Sequence, residues 1–153
     1  MIFQAKRFLF CLSLIVPASF AQANCDRPEL TRQQRDAATI QKLEAAWSVA
    51  YLSGDTEFEV CLLTPDFTEI MRDGSIRNLS DELALARNNE GKLVISPNLP
   101  PVTVHLHGGV AVAYSISEKL IHGKPRRSYN TDYYIWENGA WRVYFAQQTS
   151  FPI

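Results

Sequence analysis

Apolar residues recur at three- and four-residue spacing through Ile40, Leu43, Trp47, Ala50 and Tyr51, which predicts a long helix with one apolar face. Gln41, Lys42 and Ser48 fall elsewhere around it. Thr31 is placed as its N-cap and Gly54 as a left-handed C-cap. Asp55 then caps a short second helix carrying Phe58, Cys61, Leu62 and Leu63, which Pro65 stops. A strand is expected over 67–72, turned by Asp73-Gly74. Ser80 opens a third helix reaching about Asn88, with Asp81 and Glu82 at its positive end. After Gly91 the helical period disappears. A short extended piece over 93–95 precedes a stiff connection through Pro97, Pro100 and Pro101. Four strands follow, over 102–106, 110–121, 126–137 and 140–149.

Asn138-Gly139 is the preferred pair for a two-residue hairpin with both φ positive. That loop pairs Glu137 with Ala140, Trp136 with Trp141 and Tyr134 with Val143. Continued without interruption, it sets Asp132 opposite Phe145 and Asn130 opposite Gln147, all on one face. Thr131, Tyr133 and Ile135 share the other face with Tyr144 and Ala146. Both faces carry apolar residues. One covers the helices; the other predicts a homodimer packed through sheet faces. The expected fold class is α+β, a curved antiparallel sheet wrapped around N-terminal helices.

The first residues read differently. Lys6 and Arg7 precede an apolar run over 8–16, and Ala21-Gln22-Ala23 offers a signal-peptidase site. The run is too short for about 30 Å of hydrocarbon. A signal peptide over 1–23 is expected, leaving a single domain over 24–153 that is secreted or periplasmic and not membrane-bound. Cys11 departs with the signal, so Cys25 and Cys61 remain as an even pair in an oxidising compartment, and a disulfide between them is expected. The chain-entropy model gives such a crosslink roughly 3–4 kcal/mol.

At 46% hydrophobic and 20% charged residues, the 153-residue chain has globular composition. Fifteen Lys and Arg against 16 Asp and Glu give a formal charge of −1. No basic field is present to hold nucleic acid, so that class is set aside. No Cys-x-x-Cys or metal-spaced His set exists, and neither a metal nor a cofactor is called for.

Trp47-x-x-Ala50-x-x-x-Gly54-Asp55, Pro65-Asp66-Phe67 and Asp73-Gly74 follow one another in a characteristic order. Thr131-Asp132, Asn138-Gly139-x-Trp141-Arg142-Val143 and Gln147-x-Thr149 follow toward the C-terminus. Together, over about 40–149, they resemble the SnoaL-like group of the nuclear transport factor 2 (NTF2-like) superfamily, closest to its DUF4440 branch. The resemblance implies a cone-like α+β fold, commonly dimeric, with a pocket between the sheet and the first helix. It does not imply one activity.

Ketosteroid isomerases of this superfamily use an Asp base and an oxyanion hole of Tyr and protonated Asp. The matching positions hold Trp47, Met71 and Thr131, which cannot reproduce that chemistry. His105 and His107 share one strand face; they read as a surface pair, or as reaching Asp132 or Glu69. His122 reads as a solvent-facing turn residue. The pocket reading takes Trp47, Tyr51, Met71, Tyr134 and Phe145 as apolar walls, with Asn130, Asp132 and Gln147 as polar points. Asp132, without a cationic partner, is the best acid–base candidate. Three functions follow: a domain binding a small apolar or amphipathic molecule; an isomerase or lyase using Asp132; or a non-catalytic interaction module.

Overall fold

A computed structural model describes residues 25–92, 99–121 and 124–152. The expected signal, the extended piece over 93–95 and the turn at His122 lie outside them. Chain order is α1 (Pro28–Thr31), α2 (Ala37–Ser53), α3 (Thr56–Leu62), β1 (Leu63–Ile70), β2 (Ile76–Asn78), α4 (Leu79–Asn89), β3 (Val102–His107), β4 (Val110–Ile121), β5 (Lys124–Glu137) and β6 (Ala140–Pro152).

Capping chemistry sets the helix starts. Asp36, not Thr31, caps α2, accepting from the Thr39 N–H at 2.8 Å. Thr31 instead ends the single turn α1. The polar stretch between the two helices is occupied elsewhere. Gln33 Oε1 accepts the Trp141 backbone N–H at 2.5 Å, and the Gln34 carbonyl accepts the Trp141 indole N–H at 3.0 Å. Asp55 caps α3 as expected and also receives both Arg27 terminal nitrogens, at 2.5 and 2.9 Å. For α4 the cap is Asn78 rather than Ser80, in a reciprocal capping box with Asp81. Pro65 does not delay the strand to residue 67. It lies in β1 where the ladder to β6 is interrupted, between Leu63 and Thr68, so its missing N–H costs no bond. β2, absent from the sequence reading, pairs with β1 from Thr68–Asn78 to Ile70–Ile76.

One curved six-stranded sheet runs β2-β1-β6-β5-β4-β3, antiparallel except for the parallel β1–β6 pair. The β5–β6 hairpin turns at Asn138 (φ 51°) and Gly139 (φ 83°), as the dipeptide predicts. Its first pairs are those expected, through Tyr134–Val143. A bulge at Tyr144 then shifts the register. Tyr133 faces Phe145, Asp132 faces Ala146, Thr131 faces Gln147 and Asn130 faces Gln148. The expected pairing of Asp132 with Phe145 and of Asn130 with Gln147 is therefore corrected. One inserted residue exchanges the faces of everything beyond it.

The face that meets the helices carries Ala111, Ala113, Tyr134, Trp141, Val143 and Ala146. These pack with Ile40, Leu43 and Ala50 of α2, Phe58 and Leu62 of α3, and Phe67 of β1. Cys25 is bonded to Cys61, which fastens the N-terminal segment to α3. The outer face holds Tyr133 edge-on to Phe145, with ring centroids 5.4 Å apart, and Tyr129 stacked on Phe151 at 5.6 Å.

Candidate functional site: a buried carboxylate cluster

Glu44 lies four residues after Ile40 and three before Trp47, inside the apolar stripe of α2, so its carboxyl is carried into the interior. There the Tyr134 hydroxyl donates to Glu44 Oε1 at 2.6 Å. Asp132, on the same strand face as Tyr134, hydrogen-bonds to Glu44 as well. Burial raises the Glu44 carboxyl to about 7, opposed by the bonds from Tyr134 and Asp132. Asp132 is raised well above its usual value by burial, then by the charges of Glu44, Glu69 and Glu82. Asp132 thus keeps the pair's proton and donates to Glu44. Burial and the same two carboxyls push the Tyr134 phenol up, so it stays protonated.

A second group adjoins the first. Glu69 faces Ala146 on β1, and its Oε1 accepts from Gln148 Nε2 at 2.7 Å. Arg77 Nη1 stands 3.6 Å from both Glu69 Oε2 and Glu82 Oε2. Burial raises Glu69, and raises Glu82 to about 7 with the charge of Glu69 adding to it. Glu59 of α3 is fully buried, and neither carboxylate oxygen has a hydrogen-bond partner. Burial, then the charge of Glu82, lifts it to about 8; the Trp47 indole nearby, short of hydrogen-bond geometry, pulls it down.

A cavity of about 280 Å³ opens onto Glu44. Gln41, Ala45 and Ser48 join Glu44 on the α2 side; Leu99, Pro100, Pro101, Val102 and Ser115 close the other. Of the residues expected to form a pocket, Asp132 and Tyr134 come together, directly against Glu44. Asn130 is on their strand face, opposite Ser115 and Gln148. Trp47 packs edge-on to Phe67, with centroids 6.2 Å apart, and Tyr51 is half-buried beside Glu82; neither lines the cavity. Met71 sits in the β1–β2 turn, its N–H donating to the Ser75 carbonyl at 2.9 Å. Phe145 and Gln147 are removed to the outer face by the bulge. His105 stacks on Tyr114, with centroids 6.0 Å apart, on that outer face and so cannot reach Asp132. Among the described residues no group of three His, Cys, Asp or Glu is placed to hold a metal ion.

Sequence reasoning missed Glu44, Glu59, Glu82 and Arg77. Glu44 had a visible signal, a carboxylate at helical spacing within an apolar stripe. Glu69 had one too, at alternate spacing from Phe67 on a strand. Glu82 read as a dipole-satisfying surface acid, and nothing local marked Arg77 as its partner.

No family model matches the chain, and no curated protein matches it. Solved structures do. An NTF2-like protein from Cytophaga hutchinsonii superposes with a TM-score of 0.62 at 18% identity, over 78% of this chain and 100% of that one. An NTF2-like protein with a cystatin-like fold from Novosphingobium aromaticivorans gives 0.52 at 21% identity, over 72% and 78%. The CaMKII hub of S. rosetta gives 0.60 at 14% identity, over 78% and 100%. Such distant likeness speaks to architecture, and the chain has the NTF2-like cone fold.

Proposed function

We propose that this chain is an exported binding domain of the SnoaL-like, DUF4440 kind, which takes a small amphipathic molecule into the cavity beside Glu44. The observation that carries this reading is a solvent-open cavity of about 280 Å³ with a buried, hydrogen-bonded carboxyl on one wall and Leu99, Pro100, Pro101 and Val102 on another. Ligand pockets combine apolar lining with few polar anchors in this way. The Cys25–Cys61 bond is consistent with export. Native mass spectrometry of the purified protein, screened against small amphipaths, tests it. A stoichiometric adduct lost in Ser48→Trp, which fills the cavity, is the expected result; adducts unaffected by that change would refute the site.

The homodimer belongs to the same reading. Ile116, Tyr129 and Tyr144 leave apolar surface on the outer sheet face, and a protein of this fold is named as a hub. Sedimentation should give a dimer for the wild type and a monomer for Tyr129→Lys/Tyr144→Lys. Export predicts that Asn24 is the first residue of the mature protein by N-terminal sequencing.

One observation favours a second reading, an acid–base isomerase or lyase. The Asp132 carboxyl lies buried against Glu44, and burial first, then the Glu44 charge, raises it well above its usual value, as a general acid needs. Such an enzyme would exchange an acidic C–H of its bound molecule with deuterated water, and Asp132→Asn would stop the exchange while leaving binding intact.

A further inference from the structure

We infer that the cavity selects a cationic amphipath, an alkylammonium group carried on a short apolar body. This rests on the pocket reading above and names the class of molecule the pocket takes.

Three observations point the same way. The first is the balance of charge behind the wall. Glu44 is faced by Asp132 and Tyr134 from β5, and Asp132 in turn by the charges of Glu69 from β1 and Glu82 from α4. Arg77 lies against Glu69 and Glu82. Among the described residues no cation comes within salt-bridge distance of Glu44 or Asp132. As Glu44 ionises, the wall of the cavity therefore gains negative charge with no cation beside it. A carboxylate ligand is repelled, and a cation is drawn in.

The second is the direction of the hydrogen bonds. One of the two Gln41 Nε2 N–H groups donates to the Val102 carbonyl at 3.0 Å, and the Gln41 Oε1 is open as an acceptor. Glu44 accepts hydrogen bonds from Tyr134 and Asp132 and presents further acceptor lone pairs. Ser48 and Ser115 can accept as well. Acceptors on both sides of a small space suit a ligand with several N–H donors.

The third is the opposite wall. Leu99, Pro100, Pro101 and Val102 offer no charged group, so the rest of the ligand is apolar. An ammonium nitrogen placed at Glu44 favours its ionised form and displaces whatever proton it holds. With Glu44 titrating at about 7, roughly a tenth of it is ionised at pH 6 and nine-tenths at pH 8.

The test uses three probes of equal chain length, n-octylamine, octan-1-ol and octanoate, titrated calorimetrically into the disulfide-bonded protein at pH 6 and pH 8. Octylamine should bind best, tighten about tenfold between the two pH values and release a proton that buffer substitution detects. Octanoate should not bind. Glu44→Gln, close in shape to the wild type, should weaken octylamine at least tenfold and abolish the pH dependence. Octanol binding as well as octylamine, without a pH trend, overturns the cation and leaves the pocket standing. A silent cavity toward all three probes, together with a neutral adduct in the mass-spectrometric screen, also overturns the cation alone. Silence in both experiments overturns the pocket as well.

Discussion

The Tyr134 hydroxyl donates a hydrogen bond to Glu44, with Tyr134 fully buried and Glu44 nearly so. A hydrogen bond to a charged acceptor there contributes about 1.5–3 kcal/mol. Tyr134→Phe should therefore destabilise the fold by that order. The loss should be larger at pH 8, where Glu44 is ionised, than at pH 5, where it is protonated; urea unfolding at both values measures it. Glu59 is the opposite case, a buried carboxyl with nothing to hold it. Glu59→Leu removes an ionisation that the interior opposes. It is expected to raise the urea midpoint at pH 9 and to change it less at pH 5, where the native group is already neutral. At this scale the sequence disclosed Asp132 and Tyr134, since alternation from a recognisable turn placed both on one face. Glu82 and Arg77 were hidden because their partnership joins α4 to β2 and β1, elements whose packing no local pattern specifies.

Element boundaries follow side-chain capping more closely than they follow hydrophobic period. Asp36 and Asn78 took the N-cap positions from Thr31 and Ser80, each because its carboxylate or amide oxygen meets an N–H three residues on. Gly54 needed no correction. It closes α2 at φ 82°, and a Cβ there would come within 2.7 Å of the Glu90 Cβ. Gly54→Ala should cost about 1–2 kcal/mol from the left-handed backbone and the displaced α4 end together, read as a lower thermal midpoint. The Asn138-Gly139 hairpin was legible because both residues accept positive φ. The bulge after it was not. Tyr144 continues the alternation as well as any β residue, and only the joining of β6 to both β5 and β1 shows where the strand takes its extra residue.

Across the whole molecule the buried acids set a pH dependence. Glu44, Glu59 and Glu82 have folded values near 7, 8 and 7 against 4.5 unfolded, and Asp132 and Glu69 are raised too. The folded chain thus holds protons that the unfolded chain has released. Stability is fully present below the unfolded values and falls as pH rises toward 8. Asp36, Asp55 and Asp73 are lowered by their hydrogen bonds and work oppositely below about pH 4. The urea midpoint should therefore peak at about pH 4–5 and decline by pH 8; a midpoint that rose across that interval would contradict the buried cluster.

What the chain determines by itself is the inventory: a mainly helical first half before a run of strands, two cysteines able to pair, a hairpin at Asn138-Gly139 and an acid two residues from Tyr134. Those follow from spacing and turn chemistry, which act over a few residues. Tertiary structure decided which acids meet. The bulge at Tyr144 put Gln148 rather than Gln147 beside Glu69, and helix packing brought Glu44 to Asp132 across 88 positions of sequence. Interactions of that range depend on how whole elements are set against one another, and no local pattern carries that information.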